Sequence, residues 1–199
     1  MSNTVLVPPE HAAPAEFTRA QLDWLPWLEP LAADALTERE VASLVDAARV
    51  KSPYFRLLVR DPAALEARTR TDKDIFYNPD AGLPRAEREL TAAATSRFNG
   101  CVYCASVHAR FAATYSKREA DVDRLLDAGV TADLGERWNA IVAAAVALTA
   151  TPPAFAPEHV LRLRRAGLDD LAISDVVHAA AFFNWANRLM LSLGEPATA

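Results

Sequence analysis

The sequence has little of several features that mark common classes of protein. Its 199 residues contain six glycines and two cysteines, and no long segment alternates between apolar and polar residues as a half-buried strand does. The apolar runs 141–150 and 176–183 are too short to cross a bilayer. A net charge of −5 argues against a nucleic-acid or anionic-membrane partner. We therefore expect a globular, helical chain with neither kind of partner.

Signals for secretion are also missing. The first residues show no basic segment followed by a long apolar one, so we predict no signal peptide. The two cysteines lie in a single C-x-x-C pair, whereas small secreted scaffolds carry many cysteines in several disulfides. We expect a cytoplasmic protein whose thiol pair is reactive or metal-binding.

Helical spacing of apolar residues recurs along almost the whole chain. The Thr-Glu-Arg-Glu run from Thr37 is a capping box that predicts a helix start, and Asp61-Pro62 predicts another. We predict one all-helical domain over 37–199, with N-terminal helices in 37–82 and a core in 83–195, after an N-terminal arm and short apolar segment over 1–36. We predict helices over 37 to about 51, 62–76, 84–98, 117–128, 133–150, 157–166 and 172–192, and a further helix that begins at 101.

The C-x-x-C pair lies at a predicted helix start. Asn99-Gly100 ends one helix, which places Cys101 near the N-terminus of the next, where unpaired N–H groups favour a thiolate. Cys104 is three residues after Cys101, and His108 four residues after Cys104, so the three side chains share one helix face. Glu89, on the preceding helix, approaches His108 if the two helices fold back on each other. The pattern indicates redox chemistry with a route for the thiol proton.

Other interpretations of these residues stay open at this point. The cysteines can be two small buried side chains, or half of a zinc site, although no second pair of ligands at zinc spacing is present. His108 can be a core or capping histidine, and Glu89 a solvated helix residue.

The spacing of these four residues resembles a known signature. Glu89, Cys101, Cys104 and His108 are similar to the E-x(11)-C-x-x-C-x-x-x-H pattern of the AhpD-like alkylhydroperoxidases, in the carboxymuconolactone decarboxylase superfamily. Residues 83–90 resemble the start of the helix before that motif. The segment Phe-Phe-Asn-Trp-Ala-Asn-Arg at 182–188 resembles the FFN-x-x-NR helix of the family's peroxidase-related branch.

The resemblance implies an oligomeric, AhpD-like helical bundle and a dithiol mechanism. Cys104 would attack a peroxide and become a sulfenic acid, and Cys101 would donate a proton and then close the Cys101–Cys104 disulfide. His108 and Glu89 would relay the proton. No organic cofactor or metal is implied beyond this redox-active disulfide. One position differs from the best-studied type, because Tyr103 stands where a second histidine lies between the cysteines, and a phenol is a poor base at neutral pH.

The last predicted helix carries three polar side chains on one face, Asn184, Asn187 and Arg188. We consider Asn184 and Arg188, with Tyr103, as accessory site residues near the dithiol or at a subunit contact. Hydrogen bonding between helices and a cation near a helix C-terminus explain them equally well.

Three functions compete on this sequence. The first is a cysteine-dependent peroxidase that uses a peroxide substrate and an unidentified thiol or disulfide reductant. The second is a thiol–disulfide adaptor or reductase for a partner protein, and the third a structural helical oligomer with a vestigial site. Apolar residues on 133–150 and 172–192 spread wider than one face, so we predict a homo-oligomer.

Overall fold

The chain forms a helical bundle with one small sheet in the computed structural model, which describes residues 5–8 and 10–198. The described part contains nine α-helices and two strands. They are β1 (Leu22–Pro26), α1 (Glu38–Ser43), α2 (Pro53–Leu58), α3 (Pro62–Tyr77), α4 (Arg85–Phe98), α5 (Val102–Ser116), α6 (Glu119–Ala128), α7 (Glu136–Thr149), α8 (Pro157–Arg165), α9 (Asp170–Leu193) and β2 (Gly194–Thr198). The predicted all-α class is confirmed.

Helices α4 and α5 form a hairpin that turns at Gly100. This residue has φ of 77°, in the left-handed region that glycine enters without a steric cost. The amide of Cys101 then donates to the carbonyl of Ser96 at 2.9 Å, which closes the turn and starts α5 with Cys101 as its N-cap. The predicted helix break at Asn99-Gly100 is therefore present, and the two helices run back along each other.

The first predicted helix ends earlier than its pattern suggests. The capping box at Thr37 is present, with reciprocal hydrogen bonds between Thr37 and Glu40. The chain then leaves the helix at Val45, which has φ of 62°, and Asp46 caps a short 3-10 turn over Ala47–Lys51. Leu44 is fully buried against Val59 and Leu65, which fixes the chain where the helix ends. The prediction of one helix to about 51 is wrong in its second half.

The two strands pair antiparallel and join an N-terminal segment to a C-terminal one. Leu22 lies opposite Thr198 at one end of the pair, and Pro26 lies opposite Gly194 at the other. A β-carbon on Gly194 would lie 2.3 Å from the Leu25 carbonyl oxygen, so this approach requires glycine. The sequence itself does not predict a strand here, because the apolar segment Leu22–Pro26 is short and contains proline.

The segment expected to be a loose arm over 1–16 makes backbone contacts where it is described. The amide of Leu6 donates to the Trp27 carbonyl at 2.8 Å, and the amide of Thr198 donates to the Ala12 carbonyl at 2.9 Å. Residues 1–4 and 9 lie outside the described part. The division of the chain at 36/37 stays a prediction, with the added finding that 22–26 pairs with the C-terminal strand.

The bundle contains two main apolar clusters. The alanine-rich first cluster, over α4 to α9, contains Trp138, Ile141 and Val142, all at most 3% exposed. The second cluster is rich in aromatic residues and surrounds the two cysteines with side chains from β1, α2, α3 and α9. The wide apolar surface of α7 is thus used inside the chain, so it does not support the predicted homo-oligomer. No helix within the described residues is long and apolar enough to span a membrane.

Candidate active site

The two cysteines are both buried thiols at the start of α5. Cys101 is 1% exposed and Cys104 is 7% exposed. Cys104 lines a cavity of about 260 Å³, and Cys101 is not among the described residues that line it. A small molecule in this cavity therefore contacts Cys104 and not Cys101.

The cavity has two walls of different origin. We call the side chains from α4 and α5 the motif wall, and those from residues 49–77 the N-terminal wall. Helix α9 closes the cavity with Phe183, Ala186 and Met190. The motif wall consists of Arg85, Glu89, Tyr103, Cys104, Val107, His108 and Phe111, and the N-terminal wall of Arg49, Ser52, Tyr54, Phe55, Arg68, Asp72, Phe76 and Tyr77.

The predicted contact between Glu89 and His108 is present and direct. His108 Nδ1 lies 2.7 Å from Glu89 Oε2, and the carboxylate is only 1% exposed. Because a carboxylate accepts hydrogen bonds, Nδ1 is the donor of this pair, and in the neutral form of the ring Nε2 then carries the lone pair. The other carboxylate oxygen accepts from Arg85 Nε at 3.1 Å, which balances the buried charge of Glu89.

Aromatic rings fix the orientation of the His108 ring. Phe76 stacks on it with ring centres 5.1 Å apart, and Phe183 meets it edge-on at 4.1 Å. Arg85 lies over the ring of Tyr77 at 4.0 Å and near that of Tyr115 at 4.6 Å. The pair of Glu89 and His108 is therefore held by packing as well as by hydrogen bonds.

The two thiols differ in the direction of their pKa shifts. A hydrogen bond from the Cys104 thiol, followed by bonds from the Cys104 backbone and Asn187, lowers the pKa of Cys101 despite its burial. The pKa of Cys104 is raised, first because its proton is shared with Cys101 and then because of burial. Ionisation is therefore favoured at Cys101, the thiol that lies at the N-terminus of α5.

Asn187 is the polar residue of α9 that reaches the cysteines. It is fully buried, and hydrogen bonding from its side chain favours the thiolate form of both cysteines. Its Nδ2 donates to Ser96 Oγ at 3.0 Å, and its Oδ1 accepts from Asn99 Nδ2 at 3.1 Å. In the sequence, the signal for this role is an amide side chain, Asn187, at a helix position where the surrounding alanine and phenylalanine residues predict burial.

The three accessory candidates lie in different places. Tyr103 lines the cavity, and burial raises its pKa, so the phenol stays protonated at neutral pH. Asn184 accepts from Asn99 at 3.2 Å and contacts the site only through that residue. Arg188 is exposed and lies 3.4 Å from the Thr151 hydroxyl, so the structure does not bring it into the site.

Metal-binding side chains do not gather in the described residues. No group of three or more histidine, cysteine, aspartate or glutamate side chains within 5–8 and 10–198 is placed to hold a metal ion. The chemistry available at the cavity is that of two thiols, an imidazole and a carboxylate.

Comparison with known families agrees with this geometry. Residues 62–147, which run from α3 into α7 and include the dithiol, match the profile of the carboxymuconolactone decarboxylase family. The match covers 86 of the 199 residues, so it is this segment that is similar to the family. The predicted resemblance to the AhpD-like members of this superfamily is confirmed.

Solved structures with a similar fold include two peroxidase-related proteins. The AhpD core of an uncharacterized peroxidase-related protein from Ralstonia eutropha JMP134 is 23% identical, with a TM-score of 0.71 over 83% of this chain and 88% of that chain. An uncharacterized peroxidase-related protein from Silicibacter sp. TM1040 is 21% identical, with a TM-score of 0.67 over 95% of this chain and 93% of that chain.

A third similar structure is that of the debrominase Bmp8, which is 20% identical, with a TM-score of 0.66 over 82% of this chain and 87% of that chain. No curated protein sequence matches the chain. The fold therefore occurs in proteins that carry more than one activity.

Proposed function

We propose that the protein is a cysteine-dependent peroxidase that reduces peroxides through a cycle of the Cys101 and Cys104 thiols. The observation that carries the proposal is the cavity in which Cys104 lies with the Glu89–His108 pair, joined at 2.7 Å. A thiolate needs access to the peroxide and a nearby group that moves protons. The cavity supplies both within one mainly apolar space.

The first step of the cycle places the negative charge on Cys104. When the pair loses one proton, the thiolate forms first on Cys101, whose pKa is lowered, and accepts a hydrogen bond from the Cys104 thiol. Transfer of that proton gives a Cys101 thiol and a Cys104 thiolate that faces the cavity. This transfer uses the proton already shared between the two sulfurs, so the raised pKa of Cys104 does not prevent its reaction.

The second step breaks the peroxide bond. The Cys104 thiolate attacks the terminal oxygen of R–O–O–H, which forms an S–OH group and releases RO⁻. The alkoxide takes a proton from Cys101, relayed by Nε2 of His108, and leaves as an alcohol. The Cys101 thiolate then attacks the sulfur of Cys104, which closes the disulfide and displaces hydroxide, and the hydroxide takes a proton from solvent and leaves as water. A thiol reductant, not yet identified, returns the disulfide to two thiols.

Peroxide consumption tests this function. Reduced protein with dithiothreitol should consume cumene hydroperoxide and hydrogen peroxide faster than dithiothreitol alone, and a Cys101→Ser/Cys104→Ser variant should give only the background rate. Equal rates for the wild type and the double variant would overturn the proposal. Oxidation of the dithiol by a partner's disulfide but not by peroxide would indicate the adaptor instead.

A reductive dehalogenase is the second candidate, because aromatic side chains line much of the cavity and one structural neighbour is a debrominase. A cysteine-to-alanine variant of that neighbour was solved in complex with 2,3,4-tribromopyrrole. In such a reaction the dithiol becomes a disulfide, a C–Br bond becomes C–H, and bromide and a proton leave. Release of bromide from 2,3,4-tribromopyrrole, measured by ion chromatography, separates this activity from peroxide reduction.

The assembly state is a separate part of the proposal. We propose a homo-oligomer, supported by large apolar side chains that remain exposed, among them Phe98 at 43%, Trp185 at 44% and Leu191 at 41%. Sedimentation velocity at micromolar concentration should show a species larger than one chain, and a monomer would contradict it.

A further inference from the structure

The N-terminal wall of the cavity holds a buried cation that the proposed reaction does not use. Arg68, on α3, has a side chain only 9% exposed and lies on the cavity lining with Cys104. Its guanidinium lies 5.3 Å from the ring centres of both Phe55 and Phe182. An arginine is rarely buried unless its charge and its donors have partners.

The donors of Arg68 lack such partners. Nε and Nη1 are buried and have no hydrogen-bond acceptor in the part of the chain that the structure describes. The nearest carboxylate oxygen, Oδ2 of Asp72, lies 3.5 Å from Nη1 and already accepts from Arg49 at 3.0 Å. Two N–H groups of Arg68 are therefore available to a ligand.

A second unpaired donor lies beside the first. The hydroxyl of Tyr54 is buried on the same cavity lining and has no hydrogen-bond partner among the described residues. The charge of Arg68 acts on this phenol, although the two side chains form no hydrogen bond of good geometry. Leaving buried donors unpaired is costly, which indicates a group that fills this place.

The charges on the cavity lining do not cancel. Three guanidinium groups, of Arg49, Arg68 and Arg85, face two carboxylates, of Asp72 and Glu89. Arg49 is paired with Asp72 and Arg85 with Glu89. With Cys104 protonated, Arg68 supplies the charge in excess, so the cavity complements one negative charge, which either a Cys104 thiolate or an anionic ligand can provide.

We propose that Arg68 and Tyr54 form an anion subsite and that the substrate of the cavity is an organic molecule with one carboxylate. This inference rests on the proposed function, because it names the substrate class of the same site. The cavity, about 260 Å³, is slightly smaller than typical pockets for drug-sized ligands, which span about 300–1,000 Å³. A single-ring carboxylate with a hydroperoxide group fits that space and the aromatic lining.

A competing role for Arg68 is to balance the Cys104 thiolate, since its charge favours ionisation of that thiol. The two roles differ in what they do to substrates. A partner of the thiolate alone affects charged and neutral peroxides equally, whereas an anion subsite affects only the charged one.

Binding to the reduced protein tests the subsite without turnover. Titration calorimetry at pH 7 should show 4-isopropylbenzoate binding more tightly than 4-isopropylbenzamide, its neutral analogue. Arg68→Met keeps an unbranched side chain against the phenylalanine rings. It should lower the affinity for the benzoate by about 10- to 100-fold and leave the affinity for the benzamide unchanged. Tyr54→Phe should cause a smaller loss, and Arg68→Lys should keep part of the preference because it keeps the charge.

Arg97→Met is the matched control, because Arg97 packs over Phe17 and bonds the Leu126 carbonyl outside this cavity. It removes the same charge and should leave both affinities unchanged. Equal affinities for benzoate and benzamide in the wild type would overturn the proposal. If Arg68→Met does not fold, a reduced preference for the benzoate in Arg68→Lys and Tyr54→Phe supports the subsite, and the full wild-type preference in both overturns it.

Turnover separates this proposal from the proposed function. The wild type should reduce para-carboxycumene hydroperoxide with a kcat/KM about 10- to 100-fold above that for cumene hydroperoxide, and Arg68→Met should remove that ratio. An equal slowing of both substrates in Arg68→Met would assign Arg68 to the thiolate and overturn the subsite. If neither peroxide is reduced but benzoate binding depends on Arg68, the peroxidase fails while the subsite stands.

Discussion

The two walls of the cavity are built from different lengths of chain and carry different chemistry. The motif wall takes Glu89, Cys104 and His108 from one helix hairpin, twenty residues long from carboxylate to imidazole. The N-terminal wall takes Tyr54 and Arg68 from α2 and α3, which meet the hairpin only in the folded chain. Reactive groups thus lie close together in sequence, while the groups that would select a substrate come from a distant segment.

The two walls of the cavity should therefore respond differently to substitution. Changes in the motif wall should slow the reaction of every peroxide, because they act on the sulfur or its proton. Changes in the N-terminal wall should alter the ratio of kcat/KM between the charged and the neutral peroxide, because they act on the side chains that bind the carboxylate. The following variants test that separation.

The largest effect is expected from the cysteines. Cys104→Ser should abolish peroxide consumption, because the sulfur on the cavity lining is lost. Cys101→Ser should also stop turnover but leave a sulfenic acid on Cys104, since the resolving thiol is missing. Labelling with dimedone followed by peptide mapping detects that acid, and equal residual activity in the two variants would refute the assignment of their roles.

His108→Ala should slow the oxidation of Cys104 near neutral pH by about 100-fold, with much of the rate recovered at alkaline pH, where the proton leaves without help. Glu89→Gln should cause a loss of about tenfold, because it keeps the shape but removes the charge that orients the ring. Stopped-flow measurement across pH is the readout. The exposed His178 offers a control, as His178→Ala should react at the wild-type rate.

Asn187→Leu should move the ionisation of Cys101 to higher pH. Hydrogen bonds that stabilise a thiolate lower its pKa, so the thiolate is present from a lower pH upward, and removing a donor raises the pKa. The pH profile of iodoacetamide alkylation reports the shift. Asn184→Leu should leave the ionisation of Cys101 at the wild-type pH, because Asn184 contacts Asn99 and not the sulfurs. The same shift in both variants would mean a general disturbance of α9.

The smallest effect is expected at Tyr103. Tyr103→Phe should leave the oxidation rate of Cys104 nearly unchanged if the phenol only lines the cavity. Tyr103→His should increase turnover if the second histidine of the better-known signature is what the chain lacks. A large loss in Tyr103→Phe would instead make the phenol a proton donor in the reaction.

The motif wall was predictable because its residues obey short-range rules. Gly100 ends a helix, Cys101 caps the next, and the spacing of Cys104 and His108 puts both on one face. The fold-back that brings Glu89 to His108 is a consequence of the same turn.

The N-terminal wall was not predictable for the opposite reason. No local pattern distinguishes Arg68 from the exposed Arg70 of α3, and the burial of Arg68 depends on packing against Phe55 and Phe182 from other helices. Likewise, β1 needs a partner strand 168 to 176 positions away in the chain before its short apolar run becomes a strand, with Pro26 opposite Gly194 and Leu22 opposite Thr198. The pKa of each thiol also depends on Asn187, from α9.

One measurement tests the central claim most directly, namely the change in mass of the reduced protein after one equivalent of cumene hydroperoxide. We predict the loss of two hydrogen atoms per chain within a single turnover, with a Cys101–Cys104 disulfide in the peptide map and one equivalent of cumyl alcohol. An unchanged mass, or the addition of oxygen without a disulfide, would contradict the dithiol cycle.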